Sequence, residues 1–155
     1  MDWLPEDREI FVSKLNYLKT LANMLFQGGL KMKESLRYLQ NAKETLRKVP
    51  VENNNYTDVK PVREAFGTAY LAILEAINEA LLKKGMHKKE LPKSVDAYRI
   101  AIQKYFAAHN GKLAREFKFL YDTLYIAGYY RGLIHNTNIV KEAFKATKDF
   151  ITRFQ

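Results

Sequence analysis

Asp58-Val59-Lys60-Pro61-Val62-Arg63-Glu64-Ala65-Phe66-Gly67-Thr68-Ala69-Tyr70-Leu71-Ala72-Ile73-Leu74-Glu75-Ala76-Ile77-Asn78-Glu79-Ala80-Leu81-Leu82-Lys83-Lys84-Gly85 carries a start, a period and a stop. Asp58 can accept a backbone N–H at a helix start, Pro61 fits a first turn whose N–H groups have no intrahelical partner, and Gly85 suits the terminus. Between them Val62, Phe66, Ala69, Ile73, Ala76 or Ile77, and Ala80 recur at steps of three and four, the mark of a helix with one buried face. The small residues in that stripe let a neighbouring helix come close. The pattern predicts a helix from Asp58 to about Lys84.

The same pattern extends in both directions. Upstream, Met32, Leu36, Leu39, Ala42 and Leu46 predict a helix near 31 to 48, closed by Pro50 and a turn-rich segment from Val51 to Thr57. Further upstream, Pro5 and the acids Glu6, Asp7 and Glu9 open a helix of about 5 to 26 that ends at Gly28-Gly29, and Phe11, Leu15, Leu18, Ala22 and Leu25 form its expected buried stripe. Downstream, Ser94 caps a short helix to about Ala108 with Tyr98, Ile102 and Tyr105, and His109-Asn110-Gly111 stops it. A fifth helix runs from Lys112 to about His135 on Leu113, Phe117, Leu120, Leu124 and Ala127, with Tyr121, Tyr125 and Tyr129 on a second face. A last helix follows Asn136-Thr137-Asn138, with Val140, Phe144, Thr147, Ile151 and Phe154 inward. Nothing alternates with period two, so no strand is expected. The fold class is all-α, an antiparallel up-down helix bundle.

If each connection is a simple reversal, the turn at 28 to 30, the loop at 85 to 93 and the turn at 135 to 138 share one end. Lys31, Lys33, Lys83, Lys84, Lys88, Lys89, Lys93, Arg131, His135 and Lys141 would then gather there, with the loops at 49 to 58 and 109 to 111 at the other end.

Composition narrows the chemistry. At 155 residues the chain fits one ordinary domain. Cysteine is absent, which excludes disulfides, thiolate metal sites and cysteine nucleophiles and fits a reducing, cytoplasmic-type compartment. His87, His109 and His135 lack any zinc-ligand spacing, and no glycine-rich phosphate loop occurs, so neither a metal nor a nucleotide cofactor is expected. The acidic start precedes no apolar leader, and the apolar run Phe117 to Ile134 is broken by Lys118, Asp122 and Arg131, so it reads as a buried helix and no membrane partner is expected. The net charge is +9, yet residues 1 to 30 hold four acids against three bases, so the whole excess lies beyond them. Such an excess suits a polyanion such as RNA or DNA, or a solvated basic surface.

Ala42-Lys43-Glu44-Thr45-Leu46, the Arg63 to Ile77 run, the apolar end Leu81-Leu82-Lys83-Lys84-Gly85, and Tyr129-Tyr130-Arg131-Gly132-Leu133-Ile134-His135-Asn136 together resemble HEPN domains, the higher eukaryotes and prokaryotes nucleotide-binding bundles. The resemblance covers roughly 32 to 154. It implies a four- to five-helix HEPN-like core over residues 31 to 155, preceded by an N-terminal helix over 1 to 30 that is accessory or appended. Leu25-Phe26-Gln27-Gly28 is similar to part of a viral-protease cleavage site. The resemblance also implies an RNA-associated module: a metal-independent endoribonuclease, or its inactive relative. His135 would help deprotonate a ribose 2′-hydroxyl and Arg131 would stabilise phosphate charge. A toxin-antitoxin partner protein is implied as well. Only three residues separate Arg131 from His135, fewer than in active members, and Gly132 replaces the polar residue that usually follows the Arg. On a continuous helix that spacing would put both side chains on one face.

Each feature has a plainer counterpart. His135 equally suits the end of the fifth helix, where a basic group meets open carbonyls. Gly128 and Gly132 allow close approach to a helix of the same bundle or of a second subunit. The Tyr121-Tyr125-Tyr129 row can be core, a homodimer interface or a base-stacking platform. Lys83, Lys84, Lys88, Lys89, Lys93 and Lys141 are the expected nucleic-acid contacts. The other functional classes are a non-catalytic helical interaction or dimerisation protein and a ribosomal-RNA-associated four-helix bundle.

Overall fold

The computed structural model describes residues 5–24, 33–106 and 111–155. They form two compact units, Met1–Lys33 and Glu34–Gln155. The described residues of the first form α1 (Pro5–Met24). Of its expected stripe, Leu15 and Leu18 are 41% and 58% exposed. Leu25 and the Gly28-Gly29 stop lie outside the described residues.

The second unit is the bundle. It contains α2 (Glu34–Arg47), a hairpin of β1 (Val51–Glu52) and β2 (Asn55–Tyr56), α3 (Val59–Lys83), a single 3-10 turn at Lys88–Glu90, α4 (Val95–Tyr105), α5 (Lys112–Leu120) and α6 (Thr137–Thr152). Two of the caps, Asp58 and Ser94, are those expected from the sequence, and Asn136 is a third. Asp58 accepts from Lys60 N, Ser94 from Ala97 N, and Asn136 from Asn138 N and Ile139 N. The core centres on α3, whose Val62, Phe66, Ile73, Ile77 and Leu81 are fully buried. Among the described residues α3 alone is long and apolar enough to cross a membrane, and half of that stretch is buried within the protein. Its hydropathy reflects its place in the core.

The structure departs from the sequence reading in three places. The hairpin was not expected, because strands of two residues are too short to show a period. It forms because Asn53 and Asn54 adopt φ of 50° and 61°, left-handed values that asparagine tolerates and that a two-residue hairpin turn requires. The helix after α5 changes winding, with Tyr121–Tyr130 forming a π-helix. There the Arg131 N–H donates to Ile126 O, five residues back, at 2.9 Å. Third, the expected single end for the basic groups does not exist.

That last correction comes from the connection after α3. Instead of reversing the chain, residues 84 to 94 run back along the bundle, so α4 lies parallel to α3. The Tyr98 hydroxyl donates to Asn78 Oδ1 at 3.0 Å, and further along both helices Lys84 Nζ lies 5.1 Å from the centre of the Phe106 ring. α5 then runs antiparallel to α3, with Tyr98 facing Phe117, Tyr70 facing Tyr121, and Gly67 facing Tyr129. α6 returns, pairing Phe144 with Phe66, Phe150 with Phe117, and Phe154 with Phe106. The hairpin and residues 129 to 137 therefore share one end, the upper end below. Lys83 to Glu90 and Phe106 share the lower end. An up-down count fails once one connection crosses the bundle's length.

Candidate functional site

At the upper end the π-helix stops at Gly132, whose φ of 62° glycine adopts without cost and where a Cβ would lie 2.9 Å from Arg63 Cδ. The Leu133 N–H donates back to Ala127 O at 2.9 Å. Arg63 on α3 completes the stop: its Nε donates to Tyr129 O at 2.8 Å and its Nη2 to Tyr130 O at 2.6 Å. These carbonyls are thus held by Arg63, not by His135 as the capping alternative requires. His135 instead uses its backbone, whose oxygen accepts from Tyr56 N at 2.8 Å, while Thr137 N donates to Asn54 O at 2.8 Å. The loop is stitched to the hairpin.

Arg131 and His135 therefore do not lie on one helical face. The helix ends before them, and the i, i+4 argument fails with it. Both are exposed in the same loop, and neither side chain makes a hydrogen bond or ion pair among the described residues. Gly128 behaves as expected of a close approach within the bundle: a Cβ there would lie 2.3 Å from the Phe66 ring.

The lysines divide. Lys83, Lys84, Lys88 and Lys89 stay together as an exposed group at the lower end, whereas exposed Lys93 lies just before the start of α4, away from that end, and Lys33 belongs to the first compact unit. Lys141 lies at the upper end with Arg131 and His135. The twenty steps from Arg63 to Lys83 on α3 separate the two ends by about 30 Å. The expected gathering is thereby overturned. Lys31 lies outside the described residues.

A different basic site emerges between α2 and α6. A groove of about 710 Å³ is lined by Lys43 and Arg47 from α2 and by Lys141, Lys145 and Lys148 from α6. No carboxylate lines it, and none of the five cations is in an ion pair among the described residues. Buried Leu46, Val140 and Phe144 close its floor, and Tyr56 stands half-buried at the upper end. Burial also raises the Tyr56 hydroxyl pKa, so it stays a neutral donor. Because Tyr56 N is held by His135 O, the Arg131–His135 loop adjoins this groove and not the lower lysines.

Of the expected nucleic-acid residues only Lys141 lines the groove. The signal for the others was present. Lys43, Arg47, Lys141, Lys145 and Lys148 each directly follow a buried stripe residue, namely Ala42, Leu46, Val140, Phe144 and Thr147. That places them at the edge of the buried face, where two packed helices bring their edges together. Among the described residues no group of three or more His, Asp or Glu side chains is placed to hold a metal.

Comparison with known proteins adds kinship. The family model described as a domain of unknown function, DUF5618, matches residues 30–155, nearly the span of the second compact unit. A solved structure of a protein of unknown function from Dyadobacter fermentans is 30% identical, with a TM-score of 0.64 over 78% of this chain and 90% of that one. No curated protein matches.

Proposed function

We propose, for a chain that belongs to the DUF5618 family, that the bundle is an RNA-associated module holding a phosphate backbone along the α2/α6 groove. The observation that carries this is the groove itself: five cations without a carboxylate among its lining residues. Unneutralised like charges in two facing rows repel one another, and a polyanion relieves that repulsion while releasing its own counterions. Within this reading the HEPN-like resemblance supplies the RNA, and the absence of cysteine suits a cytoplasmic setting.

Binding without cleavage is the better-supported branch. A general base must be held to a fraction of an ångström, and no side-chain partner orients His135 among the described residues. The endoribonuclease branch has one observation in its favour, the exposure of Arg131 and His135 beside the groove's upper end. A homodimer remains the second reading for the opposite face, favoured by exposed Tyr129, Tyr130 and Leu133.

The test is RNA affinity as a function of salt. If all five cations meet phosphates of a single strand, log K falls against log salt with a slope of about −3.5. Lys145→Glu combined with Lys148→Glu abolishes binding, whereas Lys88→Glu with Lys89→Glu at the lower end leaves most of it. Indifference to RNA at low salt refutes the proposal. In the same assay, cleavage that disappears in both Arg131→Ala and His135→Ala establishes the nuclease branch, and cleavage surviving both removes those residues from it.

A further inference from the structure

The groove differs from a plain basic patch in having an aromatic side chain, Tyr56, in its lining. On α6, Lys141, Lys145 and Lys148 follow one another at steps of four and three; on α2, Lys43 and Arg47 are four apart. Each step is about one helical turn of 5.4 Å, comparable to the spacing of successive phosphates along an extended strand. The two rows run along the groove, and their aliphatic stems make its walls apolar below the charged heads. Tyr56, part of the hairpin, remains partly exposed at the upper end with Arg47 and Lys141.

Resting on the phosphate-binding reading above, we infer that the groove takes a single strand of nucleic acid and not a duplex, with one base stacked on Tyr56 and the phosphates following the two cation rows. A duplex presents phosphates on a convex surface and keeps its bases paired, so it can satisfy the lysine heads without reaching Tyr56. A single strand has unpaired π-faces and can turn one into the groove, the combination by which sequence-tolerant single-strand sites work. The adjoining loop places Arg131 and His135 next in line along such a strand, since the His135 carbonyl holds the Tyr56 backbone.

The experiment uses the full chain and fluorescence anisotropy with a short labelled oligoribonucleotide, alone and annealed to its complement, at low and moderate salt. The single strand is expected to bind at least about tenfold more tightly, the worth of one stacked base. Tyr56→Leu removes about that factor for the single strand only and leaves the salt slope unchanged, while Tyr56→Phe retains the affinity. Lys145→Glu weakens both ligands and flattens the slope. Because Tyr56 packs against the core, photocrosslinking of a strand carrying 5-iodouridine to the unmutated protein gives an independent readout, with a crosslink expected at Tyr56. Equal affinity for duplex and strand, or crosslinks that avoid Tyr56, overturns the single-strand inference while the phosphate-binding proposal stands. Failure of both ligands to bind at low salt, or indifference to Lys145→Glu, overturns that proposal itself.

Discussion

The two long faces flanking α3 are built from similarly periodic sequence and end in opposite conditions. On the α5 side, Tyr70 sits between Tyr121 and Tyr125 at 5.9 and 5.0 Å, Tyr121 stacks on Tyr125 at 5.5 Å, and the Arg99 guanidinium lies 5.5 Å above Tyr121. The π winding brings residues four apart nearly into line, which makes the row a ladder. The face is held by ring contacts, and Arg99 Nε is buried there without a hydrogen-bond partner among the described residues. On the α2/α6 side five cations face each other with no acid between them. Folding closes the aromatic face upon α3 and leaves the basic face with charge that a ligand can neutralise. An aromatic row therefore says less about partners here than lysines at the edge of a buried stripe.

Phe66 joins the two faces, and its removal is expected to damage both. Its ring meets Phe144 of the groove floor edge-on at 5.7 Å and leaves no room for a Cβ at Gly128 on the other side. Phe66→Ala should cost about 3–5 kcal/mol, the loss of a buried aromatic plus the cavity left behind. Denaturant unfolding measures it. A cost under about 1 kcal/mol would mean that the faces do not share a core.

The aromatic face has a pH signature of its own, centred on Tyr70. Burial, and then the neighbouring Tyr121, Tyr98 and Tyr125, push the Tyr70 hydroxyl from 10.0 up to about 12, against a lowering by Arg99. The folded chain therefore holds this proton more tightly than the unfolded chain. The associated stability is fully present below pH 10 and is lost as pH rises toward 12. Tyr70→Phe cannot ionise, so the variant should lose less stability than the wild type across that window. The difference should be about 1 kcal/mol or less once partial solvent exposure is allowed for. Parallel alkaline stability curves for the two proteins would remove Tyr70 from the ladder's energetics.

Much of this fold was legible because it is local. Asp58 and Ser94 cap the helices at which their side chains were expected, and most described stripe residues of α2 to α6 are buried, with Leu36, Tyr105, Ala127 and Phe154 half-buried at the edges. What could not be read depends on distant partners. The ending of the fifth helix at Tyr130 requires Arg63, 66 and 67 residues away, to take up its last carbonyls. The path of residues 84 to 94 depends on where Tyr98 finds Asn78, and loop length does not encode that. The groove has the same character. Lys43 and Lys145 are each visible as stripe-edge residues, but only the packing of α6 beside α2 makes them one site.

The smallest effect tests whether the basic face is held against its own interest. Lys145 has Lys141 four residues before it and Lys148 three after, both on the same side of α6 and none of them ion-paired among the described residues. Like charges at these spacings destabilise a helix by about 0.2–0.5 kcal/mol per pair. Lys145→Gln, which keeps helix propensity and removes the charge, should therefore raise stability by about 0.5 kcal/mol at low ionic strength. The gain should fade as salt screens the repulsion over a shorter Debye length. The same substitution should weaken RNA binding, so that stability and affinity move in opposite directions at one residue. A destabilised Lys145→Gln would instead show that the lysine contributes to the bundle through its stem, and the contrast with the packed tyrosine face would no longer hold.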